Sequence, residues 1–330
     1  MKLQILVPQY KETDDIIKPL LDSIEIQQSI DKNDIGVIIV NDGSDVHLSQ
    51  KFLDRYTYRI DYYIHENENK GVSATRNACL DYATADYVMF CDADDMFYHV
   101  CALYNIFNEI ADNNFDTLVS DFLEELKGGK ALGQRYISHG YESTFVHGKV
   151  HRRQYLIDKN IRWNENLIIH EDGYFNTLCQ KLTDSVAYCP TPFYLWKWRN
   201  NSVCRSDPNW VMNTYEHCIK SYDALVDELL KRGKTDAAQR IATSAIFRTY
   251  LMMNTPEWQK QEDKEHKTLT ENRIRDFYLK FEDLFKMLPI PERMKIQGEA
   301  KKEMFNPDIV LSLQEWLAQI GVYGSKNKEG

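Results

Sequence analysis

Ile35-Gly36-Val37-Ile38-Ile39-Val40 is a β-branched run that ends abruptly in the polar cluster Asn41-Asp42-Gly43-Ser44-Asp45. The run reads as a strand, and the cluster as the turn that leaves it. Four more runs share this character: LQILV at 3–7, IDYYI at 60–64, DYVMFC at 86–91 and DTLVS at 116–120. Between them lie amphipathic stretches. Over 13–29, Ile16, Ile17, Leu20, Leu21 and Ile24 share one helical face, and over 71–83 Val72, Ala78, Cys79 and Tyr82 do so. This alternation from Leu3 to Asp121 predicts β-α-β units around a mainly parallel sheet, an α/β fold.

Farther along, the pattern changes. The stretch 121–205 is less regular, with a helix expected near 150–159 and a strand at 185–195. Beyond Pro208, Val211, Tyr215, Ile219, Tyr222, Val226 and Leu229 recur at helical spacing until Gly233. Helical patterns follow at about 235–253, 270–288 and 308–320, separated by Pro256, by Pro289 with Pro291, and by Pro307. The expected organisation is an α/β domain over 1–206, itself divided at 121/122, and a helical region over 207–330.

Composition narrows the function. The 330 residues are 43% hydrophobic and 12% aromatic, enough to bury a large core and unlike a disordered chain. With 50 acidic against 40 basic side chains the formal charge is -10, which offers no overall attraction for nucleic acid. No window approaches the roughly 18 apolar residues of a membrane helix, so no transmembrane segment is expected. The apolar run before Pro8 is too short for a signal peptide. Seven cysteines without a C-x-x-C pair signal neither a disulfide framework nor a thiolate zinc site. They read as small buried hydrophobes in a reducing compartment, hence an expected cytoplasmic location, at most peripheral at the inner face of the membrane.

Three acidic clusters stand where strands end, and in open parallel sheets ligands bind beyond the carboxyl ends of strands. The first, Asn41 to Asp45, is either a plain turn or a place where the Asp42 carboxylate accepts the imide N–H of a uracil. The second, Cys91-Asp92-Ala93-Asp94-Asp95, crowds three carboxylates into four residues, which is tolerable chiefly beside a cation. Hard divalent ions, Mn²⁺ or Mg²⁺, take such oxygen ligands and bridge to phosphates. The third is His170-Glu171-Asp172, where Asp172 is either a functional carboxylate or the N-cap of a helix starting at Gly173. Between the first two, Asn69-Lys70-Gly71-Val72-Ser73-Ala74-Thr75-Arg76-Asn77 leads into a helix whose N-terminus favours anions. Gln9-Tyr10-Lys11-Glu12 occupies the place of a glycine-rich dinucleotide loop, and no P-loop pattern occurs. His147 and His151 have a chelating spacing, but Gly148 between them argues against a continuous helix and hence against zinc.

Taken in order, these segments resemble the family 2 glycosyltransferases, which have the GT-A fold. The resemblance runs from Leu3 to about Arg205: V-P-x-Y-x-x-E (Val7 to Glu12), V-N-D-G-S-x-D (Val40 to Asp45), N-x-G-x-S-x-x-R-N (Asn69 to Asn77), D-A-D-D (Asp92 to Asp95), G-K-x-x-R-R (Gly148 to Arg153), the pair Glu171-Asp172, and W-R-x-x-S (Trp198 to Ser202). The resemblance implies inverting transfer of a sugar from a nucleotide diphosphate, usually UDP, to an acceptor hydroxyl of a glycan or cell-surface polymer. It makes 1–121 the nucleotide-binding half and 122–206 the acceptor-binding half. Pro8, Tyr10, Glu12, Asp42, Asn69 and Arg76 would line the uridine site. Asp92 would meet ribose or metal, and Asp94 would be the main ligand of a divalent ion, Mn²⁺ or Mg²⁺. Asp172 matches the general base, with Glu171 beside it. Lys149, Lys197, Arg199 and Ser202 fall in segments near the donor sugar or diphosphate. Two positions depart from the family pattern: Lys11 where Asn is usual, and Lys197 where an aromatic-Arg pair often precedes. The competing classes are a sugar-nucleotide nucleotidyltransferase, which needs a glycine-rich loop after strand one, and a non-catalytic carbohydrate-binding derivative, which would be expected to lack Asp94 or Asp172. The helices after 207 could contact a polymeric acceptor, form a homo-oligomer or buttress the first domain, with Ile309, Leu313, Trp316, Leu317 and Ile320 on one docking face.

Overall fold

The apolar run at Leu3–Gln9 (β1) has Leu3, Ile5, Leu6 and Val7 all fully buried, so both faces of this strand are covered. The structure, a computed structural model, describes residues 1–65, 68–126, the backbone of 132–135, 143–200, 210–304 and 308–323. After β1 come helix α1 (Asp14–Glu25), β2 (Ile35–Asn41), a short α2 (Gln50–Leu53), β3 (Arg59–Ile64), α3 (Val72–Tyr82), β4 (Tyr87–Phe90), β5 (Met96–Phe97), α4 (Ala102–Asp112) and β6 (Thr117–Glu125). They are followed by β7 (Leu132–Arg135), β8 (Lys149–Arg152), α5 (Arg153–Asp158), α6 (Glu171–Lys181) and β9 (Val186–Trp196).

Among the described residues these strands form one sheet in the order β3-β2-β1-β4-β8-β6-β9-β5, with β7 on β6. Strands β3, β2, β1 and β4 run parallel, as do β6 and β9; β8 is antiparallel to both β4 and β6. The sheet is therefore mainly parallel, and the ends of β1, β2 and β4 open on one side. The helical face of α1 packs as its spacing predicts, with Ile17, Leu20, Leu21 and Ile24 buried.

The helix expected near 150–159 is half correct. Lys149–Arg152 pairs as β8, and helix begins only at Arg153. Gly148, at φ +66°, makes the turn into β8, and a Cβ there would meet Ser120 Oγ at 2.5 Å. The sheet ladder to β4 and β6 overrides a pattern too short to reveal it.

Contacts divide the chain into two compact units, Met1–Ser202 and Val203–Gly330. The second consists of α7 (Trp210–Asn213), α8 (Tyr215–Lys231), α9 (Thr235–Met253), α10 (Pro256–Gln259), α11 (Lys264–Met287), α12 (Ile290–Glu303) and α13 (Leu313–Gln319). Pro291, expected as a separator, instead sits in the first turn of α12, where its missing N–H costs nothing. Helix α13 starts at Leu313, later than expected, because Ser312 and Glu315 close a capping box. Trp316 then packs on α9, its ring 5.5 Å from that of Tyr250, so the apolar face of α13 docks within its own unit. No helix among the described residues is long and apolar enough to cross a membrane.

Candidate active site

The loops at the ends of β1 and β2 are tied together before any ligand is considered. Asn41 accepts Ser44 N–H at 2.8 Å and donates to Val46 O at 2.9 Å, and Gln9 donates to Val46 O at 3.2 Å and to Glu12 O at 2.8 Å. Gly43 is needed in this turn: its φ is +69°, and a Cβ would stand 2.5 Å from the Glu68 backbone. The turn reading of this cluster is thus correct for Asn41, Gly43 and Ser44. Asp42, only 3% exposed, does something else. Its two oxygens accept the backbone N–H groups of Lys70 and Gly71 at 2.8 and 2.9 Å, and the Asn69 side chain also accepts from Gly71 N–H at 3.0 Å. Asp42 and Asn69 therefore converge on the N-terminus of α3, each Asp42 oxygen keeping a second lone pair. Pro8 lies at the end of β1, while Tyr10 is 41% exposed with Lys11 Nζ 5.0 Å from its ring.

Arg76, on α3, is the centre of the second group. Its side chain is 4% exposed, and its Nη1 donates to Glu171 at 2.9 Å and to Asp172 at 2.8 Å, while Nη2 donates to Asp92 at 3.1 Å. Its guanidinium carbon stands 4.4 Å from the Trp163 ring centre. The resemblance groups Arg76 with Asn69 around a uracil; in the fold its guanidinium is engaged by three carboxylates. Burial alone would lower its pKa, but Asp172, Asp92 and Glu171 outweigh burial and hold it above its ordinary value. The next residue of α3, Asn77, fixes the ring on which the guanidinium rests: its side chain donates to Trp163 O at 3.0 Å and accepts Trp163 N–H at 2.9 Å.

Glu171 and Asp172 occupy the first turn of α6, whose N-cap is His170 at φ +62°. Asp172 is thus not the helix cap. One of its oxygens faces Arg76, and the other accepts Val146 N–H at 3.3 Å. Burial pushes the Asp172 carboxyl up to about 8, helped by Glu171 and Asp92 and opposed by Arg76 and Lys149.

The D-A-D-D loop holds the third group. Asp94 accepts from Arg199 Nη1 at 2.9 Å, and Glu12 lies 3.7 Å from the same nitrogen. Burial, with Asp94 nearby, keeps the Glu12 carboxyl above its ordinary value against a hydrogen bond from Tyr10 N–H. Asp95 is 1% exposed and accepts from Tyr194 Oη and from Lys197 N–H at 2.9 Å, so it anchors the end of β9, just before Arg199. Asp92, Asp95 and His147 present ligand atoms within 4.8 Å of one another. Two of these three are carboxylates, the ligand type that a hard divalent ion takes, whereas Asp94 faces Arg199 instead.

The remaining expected residues are Lys149, Lys197 and Ser202. Lys149 is 1% exposed, and its Nζ donates to the carbonyls of Phe145 and His147. Lys197 is held through its backbone, and Ser202 lies outside the described residues. His151 contacts Thr117 and is driven down to about 3 by burial, while His147 sits among Phe122, Phe145, Tyr194 and Trp196. Sequence reasoning assigned no role to Trp163, Tyr194 or Asp95. Asp95 alone carried a signal, as the third acid of its loop.

Removing Arg76 should be costly to the fold. Arg76→Met leaves the Asp92 and Glu171 carboxylates and the Asp172 carboxyl facing one another without their cation, and unfolding free energy at neutral pH should fall by about 3–5 kcal/mol. Protonating the acids removes the penalty, so denaturant melts should show the deficit shrinking as pH falls. A deficit below about 1 kcal/mol at pH 7 would mean that solvent already screens the cluster.

Comparison with known proteins bears on the fold and the family. The chain is 26% identical to the glycosyltransferase GlyA of Streptococcus pneumoniae, over 62% of this chain and 32% of GlyA. It is 24% identical to the uncharacterized glycosyltransferase YibD of Escherichia coli, over 73% of each. The chain thus spans about a third of GlyA. The crystal structure of S. aureus TarS 1-349 superposes with a TM-score of 0.65 at 17% identity over 92% of both chains, which shows a shared GT-A fold. The family model for glycosyl transferase family 2 matches residues 4–175, more than half of the sequence, and with the sheet order and motif positions above it shows that the chain belongs to that family.

Proposed function

We propose that this protein is a divalent-metal-dependent, inverting transferase that moves a sugar from a UDP-sugar to an acceptor hydroxyl of a glycan or cell-surface polymer. The observation that carries the reading is Arg76, which joins Asp92 of the D-A-D-D loop to the Glu171-Asp172 pair. A diphosphate-side acid and an acceptor-side acid pair are thereby held in one network. S. aureus TarS has been crystallised with UDP-GlcNAc, and GgaB of Bacillus subtilis, 24% identical over 78% of this chain and 30% of its own length, is a minor teichoic acid biosynthesis protein. The first supports a UDP-sugar donor and the second a polymer acceptor.

In this reading Pro8, Tyr10, Glu12, Asp42 and Asn69 bind uridine, with Asp92 at the ribose or the metal. Asp94, with Asp92, holds Mn²⁺ or Mg²⁺, which when bound stabilises negative charge on the leaving diphosphate. Lys197 and Arg199 follow the end of β9 and add positive charge for the diphosphate. Asp172 takes the acceptor proton as the new bond forms, since a hydroxyl is a poor nucleophile at neutral pH. Arg76 positions it. Attack opposite the leaving group inverts the anomeric centre and requires no covalent sugar–enzyme intermediate.

The test is release of UDP from a panel of nucleotide sugars with Mn²⁺ and acceptors, with the anomer of the product read by NMR. Loss of turnover for every UDP-sugar, or a retained anomer, would refute the reading. For the base-recognition part, UDP should bind more tightly than CDP, GDP or ADP, and Asp42→Ala should erase much of that preference. Equal calorimetric affinities for all four nucleotides in the unmodified protein would remove Asp42 from uracil recognition.

A further inference from the structure

Trp163 lies between α5 and α6, and three elements meet on its indole. Phe175 of α6 stacks on the ring at 4.2 Å with an interplanar angle of 4°, and Phe90 at the end of β4 meets it edge-on at 5.1 Å and 85°. The Arg76 guanidinium carbon, from α3, stands 4.4 Å from the same ring centre. Two groups at 4.2 and 4.4 Å do not fit over one face, so the indole is sandwiched between Arg76 and Phe175. The ring has no room to turn: it is 2% exposed, with Phe90 at 1% and Phe175 at 0%. Its backbone is held as firmly. The two bonds between the Asn77 side chain and the Trp163 backbone are joined by a third, from Asn77 to Glu165 at 2.8 Å, and Arg162 spans Asp81 and the Asn77 carbonyl.

The identity of the ring carries information beyond packing. Among the described residues the indole Nε1 has no hydrogen-bond partner, and a buried donor left unpaired lowers stability. A ring without a donor would fill the core at less cost. What indole offers in return is the side-chain aromatic face that attracts a cation best. That face meets Arg76, whose Nη1 is shared by Glu171 and Asp172. Arg76 Nε is likewise buried without a partner among the described residues, so the guanidinium is located by its carboxylates and by this ring, with no bond at Nε to fix it. Phe175 in turn ties the ring to α6, the helix that carries Glu171 and Asp172.

We propose that Trp163 is a positioning residue for the reaction: its indole face holds Arg76 so that Nη1 keeps Asp172 oriented to take the acceptor proton. The proposal rests on the assignment of Asp172 as the base, and its test is a double-mutant cycle with Asp172→Asn. Turnover is measured at saturating donor, metal and acceptor, where losses in binding do not enter. W163L should lower kcat by about ten-fold or more, with the KM for the UDP-sugar changed by no more than about three-fold. In the Asp172→Asn background, itself expected to be about 10²-fold slower, adding W163L should change kcat by less than about two-fold, since no base is left to orient. W163F, which keeps a ring face, should run several-fold faster than W163L. A loss of the same size in both backgrounds overturns the proposal, because a ring that serves only the fold slows the enzyme whether or not the base is present. A W163F variant as slow as W163L overturns it too. Thermal melts identify a leucine variant that does not fold. In that case a ring-fluorinated tryptophan at position 163 alone, which weakens the attraction for a cation with little change in size, should lower kcat several-fold only when Asp172 is present. Unaltered kcat in that protein would count against Trp163. Unchanged turnover of Asp172→Asn by itself overturns the base assignment and this proposal with it, whereas additive losses overturn this proposal only.

Discussion

Asp94→Ala is expected to lower metal-dependent turnover by about 10³-fold or more while leaving the fold in place. The size follows from the role: stabilising charge on a leaving diphosphate is worth several kcal/mol, and each ~1.4 kcal/mol is a factor of ten. The fold should survive because Asp94 lies on a loop, and its side chain is 27% exposed. Its cation among the described residues, Arg199, is 36% exposed, so losing that pair should cost no more than about 1 kcal/mol. The substitution also removes the repulsion that Asp94 exerts on Glu12, so the Glu12 carboxyl should move back toward its ordinary range. Turnover with Mn²⁺, UDP affinity with and without the ion, and thermal melts together check the prediction. Full activity of the unmodified enzyme in EDTA would sink it.

The parts of this protein that sequence exposes are those in which local pattern and tertiary environment agree. Strands β1, β2 and β4 are buried on both faces, so their runs are continuously apolar and stand out. Strand β8 does not. It is four residues long, Lys149 to Arg152, and owes its strand state to ladders with β4 and β6 that no local spacing announces. The site shows the same division. Asp42, Asp94 and Asp172 stand directly behind strand ends or at a helix start, where their positions alone suggest ligands. The task of Arg76 was hidden, because it depends on α3, the β4 loop and the start of α6 meeting at one guanidinium. Asp95 and Tyr194 are 99 residues apart in sequence, and only the pairing of β5 with β9 brings them together.

That convergence gives the Asp172 substitution its force. If Asp172 takes the acceptor proton, Asp172→Asn, which keeps size and the acceptor for Val146 N–H, should still bind UDP-sugar and metal. Its turnover should fall by about 10²-fold or more, the usual contribution of a general base. Glu171→Gln should do less, since Glu171 shares Arg76 but is assigned no proton. The pH profile adds an independent readout. Burial raises the Asp172 carboxyl to about 8, and the base works only when ionised. Activity should therefore climb with pH through neutrality, on a limb well above the ordinary carboxylate range, and Asp172→Asn should flatten that limb. The structural alternative is no longer a helix cap, because His170 holds that position; it is that Asp172 serves only as a counter-ion of Arg76. In that case Asp172→Asn would leave turnover near that of the unmodified enzyme, since Asp92 and Glu171 still hold the guanidinium. Turnover and its pH profile on the same variant separate the two roles: a loss of about 10²-fold or more with a flattened limb assigns the proton to Asp172, and unchanged turnover leaves Asp172 only as a partner of Arg76.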